Sequence, residues 1–178
     1  MGQRVCVFCA SSNLIDPGFL ALATEVGTFI GQAGHTLVYG GGRVGMMGAV
    51  ARGVHSHGGK VVGVIPDFLR DREVAYEQAD ELIITQDLFE RKRVMLDHSD
   101  VYLILPGGFG TLDEWLEVMT LKQLRRHSAP IIVLNHRGFF DEVIAFYHKV
   151  EAMKFAPEDH GYFQVIPSLA PLAQMLES

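Results

Sequence analysis

Six short runs of this chain, at 5–10, 36–39, 61–65, 81–85, 101–105 and 130–134, are apolar with little polar alternation. A strand with one wet face alternates apolar and polar residues; a strand that does not alternate is covered on both faces. The segments between the runs carry helical patterns, at 16–33, 44–57, 88–98, 111–126, 139–154 and 169–176. Asp16 and Pro17 suit a helix start, Gly34 a helix end, and Asp87 a cap. Strands buried on both faces and separated by helices define an α/β chain: a central parallel sheet with helices on both faces and right-handed crossovers. The charged stretch 67–78 has no periodicity and reads as a mobile loop. With 178 residues and no repeat or linker, residues 1–178 are expected to form one domain.

The pattern also excludes classes of function. A formal net charge of −6 argues against a general nucleic-acid binder. No apolar run approaches the ~20 residues of a membrane span, and there is no signal-peptide layout, so a cytoplasmic protein is expected. Cys6 and Cys9 are the only cysteines; three apart on a strand they point to opposite faces, and small buried side chains are the expected role. The eight histidines show no metal-ligand spacing, and His55 and His57 do not share a helix face. Ser11-Ser12 lacks a nucleophile-elbow context, and no G-x-x-x-x-G-K-[ST] is present.

Ligands of open parallel sheets bind at the carboxyl ends of the strands, where the strand order reverses. Loops leave strand ends there at Ser11-Ser12-Asn13, Gly40 to Gly48 and Pro106 to Glu114. The second contains G-x-G-x-x-G at Gly40, Gly42 and Gly45, and leaves three readings open: a tight turn with close packing, a phosphate or ribose contact, or a dinucleotide site. The third, Pro106-Gly107-Gly108-Phe109-Gly110-Thr111-Leu112-Asp113-Glu114, is a glycine turn from strand to helix that lets backbone amides approach an anion. Thr111 reads as a helix cap or a phosphate ligand, Glu114 as a first-turn carboxylate or a chemical acid. Glu90-Arg91-Lys92-Arg93 reads as a solvated face or a phosphate contact.

These residues carry a resemblance. Pro106 to Glu114 matches P-G-G-x-G-T-x-x-E, and Arg91-Lys92 with Met95 matches R-K-x-x-M. Together they resemble the hallmark of the Lonely Guy family, cytokinin riboside 5′-monophosphate phosphoribohydrolases. Cys6 to Ser12, the Gly40 to Gly48 turn and Gln123-Leu124 extend the likeness over most of the chain. The resemblance implies a three-layer modified Rossmann fold without a dinucleotide. It also implies hydrolysis of the N-glycosidic bond of a nucleoside 5′-monophosphate. Arg91 and Glu114 match the catalytic pair. Glu73, Lys92, Gly108 to Glu114 and Thr120 match substrate positions, with Ser11, Gly41, Gly42 and Gly107 in the accompanying loops. The common family His before Arg91 is replaced by Phe89-Glu90. No metal or organic cofactor is implied; Glu114 would stabilise an oxocarbenium-like ribose. A homodimer is implied, with Leu116, Val118, Met119 and Leu121 as interface candidates. The alternatives are a general AMP nucleosidase and a non-catalytic nucleotide or cofactor carrier. Family members have also borne a lysine decarboxylase label, although nothing in the chain resembles a pyridoxal phosphate site.

Overall fold

The computed structural model describes residues 2–156 and 161–177. In chain order the elements are β1 (Arg4–Phe8), α1 (Pro17–Gln32), β2 (Thr36–Tyr39), α2 (Gly45–His55), β3 (Lys60–Pro66), β4 (Glu81–Thr85), α3 (Leu88–Asp97), β5 (Val101–Ile104), α4 (Phe109–Gln123), β6 (Ile131–Leu134), α5 (Asp141–Ala152), β7 (Gln164–Ile166) and α6 (Ala170–Glu177). The strands form one parallel sheet in the order β4-β3-β2-β1-β5-β6-β7. The order reverses between β1 and β5, so the carboxyl ends of these two strands flank the natural ligand crevice.

The lack of alternation in the strands has a direct counterpart in packing. Val5, Val7 and Cys9 of the β1 region enter one core with Val26 and Ile30 of α1, Val50 and Val54 of α2, and Leu172 and Leu176 of α6. Cys6 and Phe8 enter the other core with Met95 of α3, Trp115 and Val118 of α4, and Phe140. Three layers result, and the two cysteines lie free in opposite cores. Trp115 anchors α4 by edge-to-face contacts with Phe140 (5.2 Å) and Phe163 (5.3 Å), each worth about 0.5–1.5 kcal/mol beyond area burial.

Two expectations change. β7 was not expected; its three residues stop before Pro167 and, among the described residues, pair only with β6, at the sheet edge, too short to show a period. Residues 67–78 are not a loose loop. A 3₁₀ turn at Asp67–Leu69 opens the segment, and backbone bonds then tie it to the turn after β2: Arg43 N donates to Val74 O (2.8 Å) and Tyr76 N to Gly41 O (2.8 Å). The β3–β4 connection is thereby folded over the carboxyl end of the sheet. Among the described residues no helix is long and apolar enough to cross a membrane.

Candidate functional site

Helix α4 starts two residues earlier than the sequence suggests, at Phe109, with Gly108 as its cap residue. Glycine offers no side-chain oxygen, so the cap makes no side-chain hydrogen bond. The first bonded amide is that of Leu112, which donates to Gly108 O (3.1 Å). The amides of Phe109, Gly110 and Thr111 therefore have no acceptor among the described residues, and they carry the positive end of the helix dipole. Thr111 is not the cap; it is buried within the first turn, beneath Gly107. A Cβ on Gly107 would fall 2.0 Å from Thr111 Oγ1, so only glycine allows this approach.

The glycine turn before α2 looks similar in sequence but is built differently. Gly45 N donates to Asn13 Oδ1 (2.7 Å) and Met47 N to Ala10 O (3.2 Å), so protein groups already fill that helix start. Gly45 has φ 61°, and a Cβ there would lie 2.5 Å from Ser11 C. Gly41 and Gly42 are buried against Ile65 and Glu73 and do not line a cavity with the residues below. Their geometry is that of a tight turn with close packing.

Helix α3 presents the arginine. Asp87 Oδ1 accepts from Glu90 N (2.8 Å) and Glu90 Oε2 from Gln86 N (2.7 Å), a reciprocal cap that fixes the first turn. Arg91, one residue on, is 5 % exposed. Its Nη2 donates to Gly40 O (2.6 Å) and Glu73 Oε2 (3.1 Å), and its Nε donates to Val64 O (3.1 Å). The guanidinium thus ties the carboxyl ends of β2 and β3 to the overlying segment. Val74, next to Glu73, has φ 49°. A β-branched residue in that region costs roughly 1–3 kcal/mol, held here by the bonds to Arg43.

Glu114 lies in the second turn of α4, with no acidic residue in the first, so it is not a dipole cap. It is 8 % exposed and makes no hydrogen bond among the described residues. Burial raises its carboxyl from 4.5 to about 7; Arg91 opposes the rise, while Glu73 and Asp113 add to it. A carboxylate that titrates near neutrality can exchange a proton with water at working pH.

Ser11, Glu73, Arg91 and Gly110 line a single cleft of about 420 Å³, at the β1/β5 crossing point. Val44, Leu69, Arg72 and Leu88 complete it; Val44 lies within the Gly40 to Gly48 turn, and no motif had indicated the other three. Other expected contacts lie elsewhere. Lys92 is held by Asp113 (2.9 Å) and Glu117, and with Thr120 it lines a separate groove. The ammonium of Lys92 is thus paired with two carboxylates of helix α4. Thr120 Oγ1 donates to Leu116 O (2.7 Å), Leu112 faces an apolar groove, and Phe109 is 90 % exposed. Among the described residues no cluster of His, Cys, Asp or Glu could hold a metal ion.

Comparison with known proteins gives a consistent set. A family model described as possible lysine decarboxylase matches residues 47–176. A cytokinin riboside 5′-monophosphate phosphoribohydrolase of Arabidopsis thaliana is 40% identical over 177 residues, 99% of this chain and 78% of the relative. A protein of the same name from Mycobacterium tuberculosis is 48% identical over 137 residues, 77% of this chain and 73% of the relative. Among solved structures, the molybdenum cofactor carrier protein of Chlamydomonas reinhardtii superposes with TM-score 0.76 at 21% identity, covering 99% of both chains. The molybdenum cofactor binding protein of Rippkaea orientalis gives 0.72 at 20%, covering 99% and 96%. At these identities the structural likeness shows the fold alone.

Proposed function

The chain belongs to the Lonely Guy family of cytokinin riboside 5′-monophosphate phosphoribohydrolases, and from that premise we propose how its residues act. The reaction is hydrolysis of the N-glycosidic bond of an N6-modified AMP, with water added at C1′, to give the free base and ribose 5-phosphate. The observation that carries the site assignment is the buried, unpartnered Glu114, whose proton is held to about pH 7, one helical turn beyond the open amides that suit a phosphate. The 5′-phosphate seats on the amides of Phe109, Gly110 and Thr111, which fixes the ribose and brings C1′ toward Glu114. As the bond to the base lengthens, positive charge grows on the ribose, and the Glu114 carboxylate stabilises it and takes the proton of the attacking water; the hydroxyl bonds to C1′, and the proton leaves Glu114 to end on the departing base nitrogen. Glu73, held by Arg91, is placed to accept from ribose hydroxyls. Arg91 acts through Glu73 and through its field on Glu114.

Residues 1–178 serve here as one nucleotide-binding domain. Two free cysteines suit a reducing cytoplasm. A second copy of the chain covers the groove of about 450 Å³ between α4 and α5, where Leu116, Met119 and the 64 % exposed Phe146 lie. Val118 is not part of that face, because it is buried in the core.

The test is release of free base from a panel of nucleoside 5′-monophosphates, with AMP and N6-isopentenyl-AMP compared by kcat/KM. Preference for the modified nucleotide supports the assignment. Equal rates point to a general AMP nucleosidase, and ligand recovered intact refutes hydrolysis.

A further inference from the structure

We propose that Arg72 reads the charge of the substrate's 5′-phosphate and so separates nucleotides from nucleosides. The inference rests on the hydrolase reading above and adds a residue that no motif marks. A phosphate monoester carries about −1.5 to −2 near neutral pH, whereas a helix N-terminus offers only about half a positive charge. The cleft also holds Glu73, and Glu114 lies close enough to feel it. Binding a dianion there requires a cation that is not already neutralised.

The cations around the cleft differ in what they face. Arg91 is committed to Glu73, Gly40 O and Val64 O. Lys92 is committed to Asp113 and Glu117 and opens onto another groove. Arg43 lines a different cavity with Arg70, Asp67, Asp71 and Glu77, where Arg70 pairs with Asp67 and Glu77. Arg72 shares the cleft with Ser11 and Gly110 and, among the described residues, has no carboxylate within ion-pair distance. Its root is fixed even though its side chain is exposed: Glu73 N donates to Leu69 O (2.8 Å), and Glu73 O and Val74 O both accept from Arg43 N. An arginine fork on a fixed root, at the mouth of a cleft that also holds Gly110 of the open α4 start, matches the planar oxygens of a phosphate.

The experiment compares wild type, Arg72→Ala and Arg72→Lys. Turnover of N6-isopentenyl-AMP is measured, together with binding of ribose 5-phosphate and of ribose by titration. Arg72→Ala is expected to raise KM for the nucleotide about 10–100-fold, the worth of a charge-assisted hydrogen bond, with kcat little changed. Ribose 5-phosphate affinity falls by a similar factor and ribose affinity does not. Arg72→Lys recovers part of the loss, and added salt weakens wild-type binding more than that of Arg72→Ala. Equal ribose 5-phosphate affinity in wild type and Arg72→Ala overturns the proposal, as does a fall in kcat with KM unchanged. Wild-type protein that binds ribose 5-phosphate through Arg72 but releases no base refutes the hydrolase reading and leaves the phosphate site standing.

Discussion

Replacing Glu114 with Gln should make the protein more stable in alkaline solution while abolishing most turnover. The unfolded chain releases this proton near 4.5 and the folded protein near 7. Between those values the native state holds a proton that the unfolded state has lost, so stability falls as pH rises and the deficit is complete above about 7. Below 4.5 both states are protonated and the deficit vanishes. Its full size, from the separation of the two values, is on the order of 3 kcal/mol. Glutamine has no charge to bury, so Glu114→Gln escapes the whole of it. For a chain of this length 1 kcal/mol moves Tm by about 2–4 °C, so the variant should gain about 6–12 °C on wild type between pH 4.5 and pH 8.

The assay is thermal unfolding of both proteins across that range. The informative quantity is the change in their Tm difference with pH, because any fixed cost of the amide cancels, as do all other titrating groups. The same carboxyl should give kcat/KM an acidic limb near pH 7, since the ionised form does the chemistry. A Tm difference that is flat from pH 4.5 to 8, or that moves in wild type's favour as pH rises, refutes the burial argument. Near-normal release of ribose 5-phosphate by Glu114→Gln refutes the catalytic one.

Two further outcomes follow from the packing. Arg91→Met should cost about 3–5 kcal/mol and lose turnover, because it strands Glu73 and two carbonyls; Arg91→Met/Glu73→Gln should recover part of that stability, and strict additivity in chemical denaturation would show the pair to be uncoupled. Phe146→Glu places a charge in the apolar α4–α5 groove and should convert a dimer to a monomer in sedimentation with the fold intact; an unchanged sedimentation coefficient would remove this face from the interface.

The sheet and its three layers were legible because burial on both faces writes itself into consecutive residues: Val5 to Cys9 are all buried, and they divide strictly between two cores. β7 was not legible, since three residues at an edge show no period. Glu114 and Arg91 were singled out by a motif, but the surroundings the structure gives them rest on contacts distant in sequence. Arg91 meets Gly40 at a separation of 51 residues and Val64 at 27, and no spacing along α3 reports that. Lys92, its neighbour, faces helix α4 instead, so adjacent cations that look equivalent in the sequence serve different elements. Arg72 was missed for a related reason: the β3–β4 connection has no periodic pattern, and only its backbone bonds to Gly41 and Arg43 bring it over the cleft.

The two glycine turns show why the acid stands where it does. Before α2, Asn13 and Ala10 occupy the helix start, and an anion would have to displace them. Before α4, the cap is a glycine and the amides stay open. A carboxylate in the first turn of α4 would accept from those same amides, compete with the phosphate, and be held ionised as a weak base by the dipole. Glu114 stands one turn further on, beyond reach of the open amides and buried beside Trp115. There burial outweighs the attraction of Arg91 and lifts the carboxyl to about 7, where it is basic enough to take a proton from water. In the proposed reaction the same displacement would leave the helix start free for the phosphate, so that one helix would provide an anion seat and a base that do not neutralise each other.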